Sequence, residues 1–239
     1  MAIVRTEAFV LKAIPFGETS VICRLFTRDH GVVPVIAKGA RRPRNRFGAG
    51  LDPFRRLGVT YYDRAGREIQ TLTAVELLAA YPSIARSLER MEAAGAWFRF
   101  LRRVLPDGAP AEALYRLMTA ALPRLERTAP ARVARWETYH RAAAAAVLGL
   151  EPRLEGCATC GRALPDGGVM GFALEEGGVV CAGCRTTRPG GRPLQEAEYA
   201  LLNLYLHPDY SLVEELESLG SEERQVQELI HDFIQYHAL

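Results

Sequence analysis

The sequence predicts an α+β chain in which a small N-terminal β-barrel precedes a helical domain that carries an inserted four-cysteine module. Three observations lead there. Short apolar runs of period two, separated by turn residues, fill residues 1–76. From Pro82 the apolar period becomes helical. Four of the five cysteines then fall into two C-x-x-C pairs. The expected bounds are 1–80 for the barrel and 81–239 for the helical domain, with 155–190 as the insertion. At 49% hydrophobic, 239 residues suffice for one large core or two smaller ones.

The first strand holds Phe9, Leu11 and Ala13 in alternation with Val10 and Lys12, and Pro15-Phe16-Gly17 turns the chain. Ser20 to Thr27 is a second run, closed by Asp29-His30-Gly31, and Val32 to Lys38 is a third. Leu57 to Tyr62 and Glu68 to Val75 complete the set, joined by the hairpin signal Asp63-Arg64-Ala65-Gly66. Five short strands with tight turns suit a closed barrel of the oligonucleotide-binding (OB) type. An open meander covered by later helices is the alternative.

Between the third and fourth strands the chain carries Lys38, Arg41, Arg42, Arg44 and Arg46, with no acid from His30 to Leu51. Pro43 and three glycines keep this segment out of regular structure, so an exposed, mobile arm is expected. Phe47 is placed to stack on a base, and Arg55 and Arg56 continue the basic excess. A charge run is ordinarily a solvated face. Here its emergence from the expected OB barrel makes nucleic acid the better reading.

The helical region starts at Ser83, a cap for a helix with Ile84, Leu88, Met91, Gly95, Phe98, Leu101 and Leu105 on one face, ending before Pro106-Asp107-Gly108. A second helix carries Leu114, Leu117, Met118, Ala121 and Leu122 and is interrupted at Pro123. A third opens at Pro130 and stops at Gly149, with His140 on its buried side near Trp136. Pro193 is expected to begin a fourth, and Ser221-Glu222-Glu223 caps a fifth.

Between the third and fourth helices, Cys157, Cys160, Cys181 and Cys184 form two knuckles of the kind that supply four thiolates to one tetrahedral ion. Gly167-Gly168 and Gly177-Gly178 bracket the apolar run Val169 to Leu174 and precede Val179-Val180, the shape of a hairpin that returns the second knuckle to the first. Disulfides would need an oxidising compartment, and the N-terminus MAIVRTEAF has no apolar signal core. One structural Zn²⁺ in a closed four-sulfur site is therefore expected, in a cytoplasmic, nucleoid-associated protein. Only Arg162 is basic between Cys157 and Cys184, against Asp166, Glu175 and Glu176, a poor surface for phosphate.

Charge divides along the chain. Residues 1–192 hold 29 Lys and Arg against 18 acids, whereas residues 193–239 hold only Arg224 against ten. A basic body fits a polyanion partner. No run approaches the roughly 18 apolar residues of a membrane helix. No P-loop, G-x-G-x-x-G after a strand, G-x-S-x-G or H-E-x-x-H is present. Cys23 lies among Val21, Leu25 and Phe26, a setting for a buried thiol rather than a nucleophile. The chain is expected to be no enzyme. A zinc-ribbon RNA-binding or transcription-associated protein, and a scaffold that does not bind DNA, are the competing readings.

The order of these parts resembles the bacterial RecO family of recombination mediators. The residues that carry the likeness are Phe9-Val10-Leu11, Phe16-Gly17-Glu18, Leu25-Phe26-Thr27, Gly31 and the run Ala37-Lys38-Gly39-Ala40-Arg41-Arg42. Trp136-Glu137, Gly149, Pro152, Leu154 and Cys157-x-x-Cys160-Gly161 extend it along essentially the whole chain. The resemblance implies a non-enzymatic DNA-repair protein that binds single- and double-stranded DNA and anneals complementary strands. It also implies RecR, RecA and the C-terminal tail of single-strand binding protein as partners, with the tail on the helical domain. Some members of the family lack the cysteines, so the zinc site is not the shared activity.

Overall fold

The computed structural model describes residues 2–48, 50–105, 107–164, 170–187, 191–216 and 220–238. Five strands close into a barrel: β1 (Ala2–Phe16), β2 (Ser20–Thr27), β3 (Gly31–Ala37), β4 (Arg56–Asp63) and β5 (Gln70–Ala79). The ring order is β1-β2-β3-β5-β4, with β1 long enough to pair antiparallel with both β2 and β4. Closure comes from a short parallel contact of β3 with β5, Val35 opposite Gln70 and Ile36 opposite Thr71. This leaves no open edge in the ring, so the open meander is excluded.

Ala8, Val10, Cys23, Leu25, Val35, Leu57, Val59, Tyr61 and Leu72 fill the interior. Burial raises the Cys23 thiol to about 11, so it stays protonated and inert. The run Ala8 to Leu11 is buried without alternation because the outer face here is covered too. Phe9 and Phe26, opposite one another across β1 and β2, meet the Tyr115 ring at 5.3 and 5.7 Å. At Leu11 the β1–β2 register shifts, and the Leu11 carbonyl accepts from Arg102 Nη1 at 3.1 Å.

Three helices follow: α1 (Pro82–Arg86), α2 (Leu88–Val104) and α3 (Glu112–Arg127). The first expected helix is thus two. Ser87, extended at φ −121° and ψ 127°, breaks the chain and caps α2 by accepting from the Arg90 N–H. After this break Leu88 and Met91, expected on the apolar face, are exposed, whereas Phe98, Leu101 and Leu105 are buried as expected and Ala93, Ala94 and Trp97 join them. Glu126 replaces the expected cap at Ser83, accepting from the backbone N–H groups of Ser83 and Ile84. Pro123 does not end α3, which continues to Arg127. Pro106 lies outside the described residues.

The chain forms two compact units, Met1–Pro130 and Ala131–Leu239. Residue 81 marks the change from strand to helix, but α1 to α3 cluster with the barrel, because outward-facing Phe9 and Phe26 need apolar cover.

The second unit contains α4 (Val133–Val147), β6 (Met170–Ala173), β7 (Gly178–Cys181), α5 (Ala182–Thr187), β8 (Arg192–Leu194), α6 (Glu196–Leu206), α7 (Tyr210–Glu214) and α8 (Ser221–Ala238). Pro193 does not begin a helix. It pairs with Gly171 as part of β8, and α6 starts after Gln195, where the Glu198 carboxylate accepts from the Gln195 N–H at 2.8 Å. Helix α4 is the apolar partner of α6 and α8, and His140 is fully buried against Trp136 as expected. A buried ion pair ties α4 to α8. Arg135 Nε and Nη2 donate to the two Glu223 carboxylate oxygens at 2.6 and 2.8 Å, and the Tyr205 hydroxyl donates to Oε1. Removing one member of such a pair costs about 3–5 kcal/mol.

Candidate nucleic-acid interface and metal centre

The basic connection between β3 and β4 is a sequence of turns rather than a free arm. Arg41 N–H donates to the Thr19 carbonyl at 2.9 Å, and its Nη1 donates to the Gly17 carbonyl at 3.2 Å, tying the connection to the β1–β2 turn. Asn45 Oδ1 accepts from the Phe47 N–H, an Asx turn around Arg46, and its Nδ2 donates to the Arg42 carbonyl across Arg44, which sits at φ 56°. Phe47 and Leu51 enter the barrel core, and the Phe54 ring meets Phe98 of α2 at 4.9 Å. The loop stays irregular because its glycines and Pro43 forbid a strand, yet these anchors fix its path.

Lys38, Arg41, Arg42, Arg44 and Arg46 are all exposed on this pinned loop. Phe47 is not. At 3% exposed it plugs the barrel, and the Arg46 guanidinium lies 5.0 Å from its ring centroid, so the expected base-stacking role is corrected. Its position between Arg46 and Gly48 could not reveal that its side chain turns inward. Arg55 and Arg56 are half-buried and already face acids, Arg55 bonding Asp52 at 2.8 Å and Arg56 lying 4.0 Å from Glu7.

In the second unit the Cys157, Cys160, Cys181 and Cys184 Sγ atoms all lie within 4.8 Å of one another. Cys157 and Cys160 flank a turn in which Gly161 N–H donates to the Cys157 carbonyl at 2.8 Å. Cys181 ends β7 and Cys184 lies in α5, while β6 and β7 form the expected hairpin, Met170 opposite Cys181. Gly167-Gly168 and Val169 lie outside the described residues.

Burial opposes ionisation of Cys157, but donation from Cys181 and Cys160 backbone N–H groups outweighs it and lowers this thiol to about 6. Arg162 donates through Nε to Cys160 Sγ at 3.4 Å and lowers that thiol too. Cys184 is pushed up to about 12, first by its hydrogen bond with Cys181 and then by burial. The Cys160–Cys181 separation of 3.9 Å matches the roughly 3.8 Å edge of a sulfur tetrahedron around an ion with bonds near 2.3 Å. Four thiols so placed can hold a metal ion.

The hairpin is fastened on several sides. Arg153 N–H donates to the Gly177 carbonyl and its own carbonyl accepts from Val179 N–H, both at 2.9 Å. A Cβ on Gly178 would lie 2.3 Å from the Arg153 carbonyl oxygen, so only glycine fits there. His237 of α8 bonds the Leu174 carbonyl, Phe233 meets Phe172 at 6.0 Å, and Arg192 pairs with buried Glu198. These contacts make the module part of the helical unit.

Two family models cover nearly all of the sequence. One described as Recombination protein O N terminal matches residues 1–81, and one described as Recombination protein O C terminal matches residues 85–239. A DNA repair protein RecO of Rubrobacter xylanophilus is 36% identical over 79% of this chain and 74% of its own length. Its namesake from Geobacter metallireducens is 37% identical over 75% of this chain and 72% of its own. The Salinibacter ruber relative of the same name is 32% identical over 98% of this chain and 88% of its own. No described helix is long and apolar enough to cross a membrane. With a closed barrel, a pinned basic loop, a four-cysteine cluster and both family models matched in order, the chain belongs to the RecO family of DNA repair and recombination proteins, which are mediators rather than enzymes.

Proposed function

We propose that this protein binds single- and double-stranded DNA through the loop Lys38–Arg46, anneals complementary strands, and acts with RecR to let RecA replace single-strand binding protein. The observation that carries this reading is the loop itself. Five exposed cations sit on a segment held to the barrel by Phe47 and by the Arg41 hydrogen bonds. Such a surface neutralises backbone phosphates without reading base edges, so binding has little sequence preference. Two complementary strands held on it repel one another less than in solution, which favours pairing without any catalytic group.

In this reading residues 1–80 supply the main DNA contact, and the helical region 81–239 supplies the surfaces for RecR and for the tail of single-strand binding protein. The metal is one Zn²⁺ held by Cys157, Cys160, Cys181 and Cys184, with a structural role, since a closed thiolate set leaves no open position. Thiolates in a metal site persist in a reducing compartment, which supports a cytoplasmic, nucleoid-associated location.

The test is annealing of two complementary oligonucleotides, bare and coated with single-strand binding protein. Wild-type protein should accelerate pairing in both cases, and the variant with Arg41, Arg42, Arg44 and Arg46 changed to Ala should lose most of the acceleration. Equal annealing by the variant would remove the loop from the mechanism. Acceleration confined to structured RNA would favour the RNA-binding reading.

A further inference from the structure

With Phe47 in the core, the barrel presents a different aromatic. Phe16, the last residue of β1, is 54% exposed, and it is the exposed aromatic side chain among the described residues of the barrel. Residues around it form an ordered outward row. Register pairs Phe16 with Ser20, Ile14 with Ile22 and Lys12 with Arg24, while Ala13 and Cys23 point into the barrel. Ile14, 45% exposed, and exposed Lys12 therefore share the outer face with Phe16.

Both ends of this row are basic. Beyond Phe16, the Arg41 guanidinium reaches across the turn to the Gly17 carbonyl. At the other end Arg24 and Lys12 lie side by side, and Arg102 of α2 bonds the Leu11 carbonyl. Burial, then Arg99, then Arg24 hold the Arg102 guanidinium below its usual value, a sign of crowded cations at this end. Two acids accompany the row: exposed Glu18 in the turn, and Asp107, which pairs with Arg24 and is the group that a phosphate would displace.

We propose that the outer face of the β1–β2 hairpin is a single-strand track, on which Phe16 stacks on a nucleobase while Arg41 at one end and Lys12, Arg24 and Arg102 at the other hold the backbone. Phe16 and Lys12 are four residues apart on one strand, about 13 Å, a span that suits a few extended nucleotides. An apolar platform between cations fits a strand whose bases are free, because a duplex hides its base faces. The row thus discriminates single strands from duplex, which the loop's charge alone cannot do. The proposal rests on the DNA-binding reading above and gives it a strand preference.

Titrations of oligo(dT) and of a duplex of equal length, followed by fluorescence anisotropy, test it. Phe16→Ala should weaken oligo(dT) binding about 5-fold or more, the range of one lost base stack, and change duplex binding less than about 2-fold. Phe16→Trp should retain affinity and give an emission that oligo(dT) quenches, since Trp97 and Trp136 are both fully buried. Phe16 is more than half exposed, so the variants should melt as the wild type does. Wild-type oligo(dT) affinity for Phe16→Ala, together with weakened binding by a variant with Arg42, Arg44 and Arg46 changed to Ala, would overturn the track and leave the loop in place. Wild-type affinity in both variants would overturn the loop reading as well.

Discussion

Phe47 and Phe16 both stand beside glycine in a basic neighbourhood, and their side chains end in opposite places. Phe47 turns into the barrel among Val10, Leu25, Leu57 and Leu72, so it contributes apolar burial to the fold. Phe47→Ala should destabilise the protein by about 3–5 kcal/mol, the usual range for emptying a buried aromatic site. Urea denaturation measures this. A loss below about 1 kcal/mol accompanied by weakened DNA binding would restore Phe47 as a DNA contact. Sequence could not separate the two residues, because which way a turn residue points depends on the register of the loop against the barrel. Cys23 was legible, since its alternation with Val21 and Leu25 already placed it in a strand interior, and it is fully buried.

At the scale of elements, legibility followed local signals. β2 matches its expected bounds because apolar alternation and the Asp29-His30-Gly31 turn agree. Only the first turn of the α2 face was misread, because the break at Ser87 is not announced by Gly or Pro: Leu88 and Met91 are exposed, while Phe98 and Leu101 are buried as expected. β8 was missed because three residues have too little period to register, and its strand state is imposed by pairing with β6. The cysteine cluster was fully legible, since the C-x-x-C spacing makes each knuckle almost independent of the rest. Its fastening to α8 through His237 and Phe233 was not, because those contacts lie far apart in sequence. Losing a thiolate should therefore affect the helical unit before it affects DNA. Cys184→Ser should lower bound metal below one per chain and reduce stability by several kcal/mol, part of the roughly 10–16 kcal/mol of a structural site. Metal analysis and thermal melting check this, with DNA affinity unchanged at temperatures where the variant is folded. Unchanged melting would contradict a structural role.

For the whole molecule, the charge division along the sequence needs a structural correction. Glu198 and Glu223 of the acidic C-terminal segment are buried and paired with Arg192 and Arg135, so part of that acidity is spent inside the second unit. The basic loop, by contrast, keeps all five cations at the surface of the first unit. The central claim is that this loop is the main contact with nucleic acid backbone. The direct measurement is the affinity for single-stranded DNA across a series of salt concentrations. If each of the five cations meets one phosphate, log K against log salt has a slope of at least about −3.5 for the wild type. Changing Arg41, Arg42, Arg44 and Arg46 to Ala should weaken binding and flatten that slope by about 2.8. An unchanged slope in a folded variant would contradict the account.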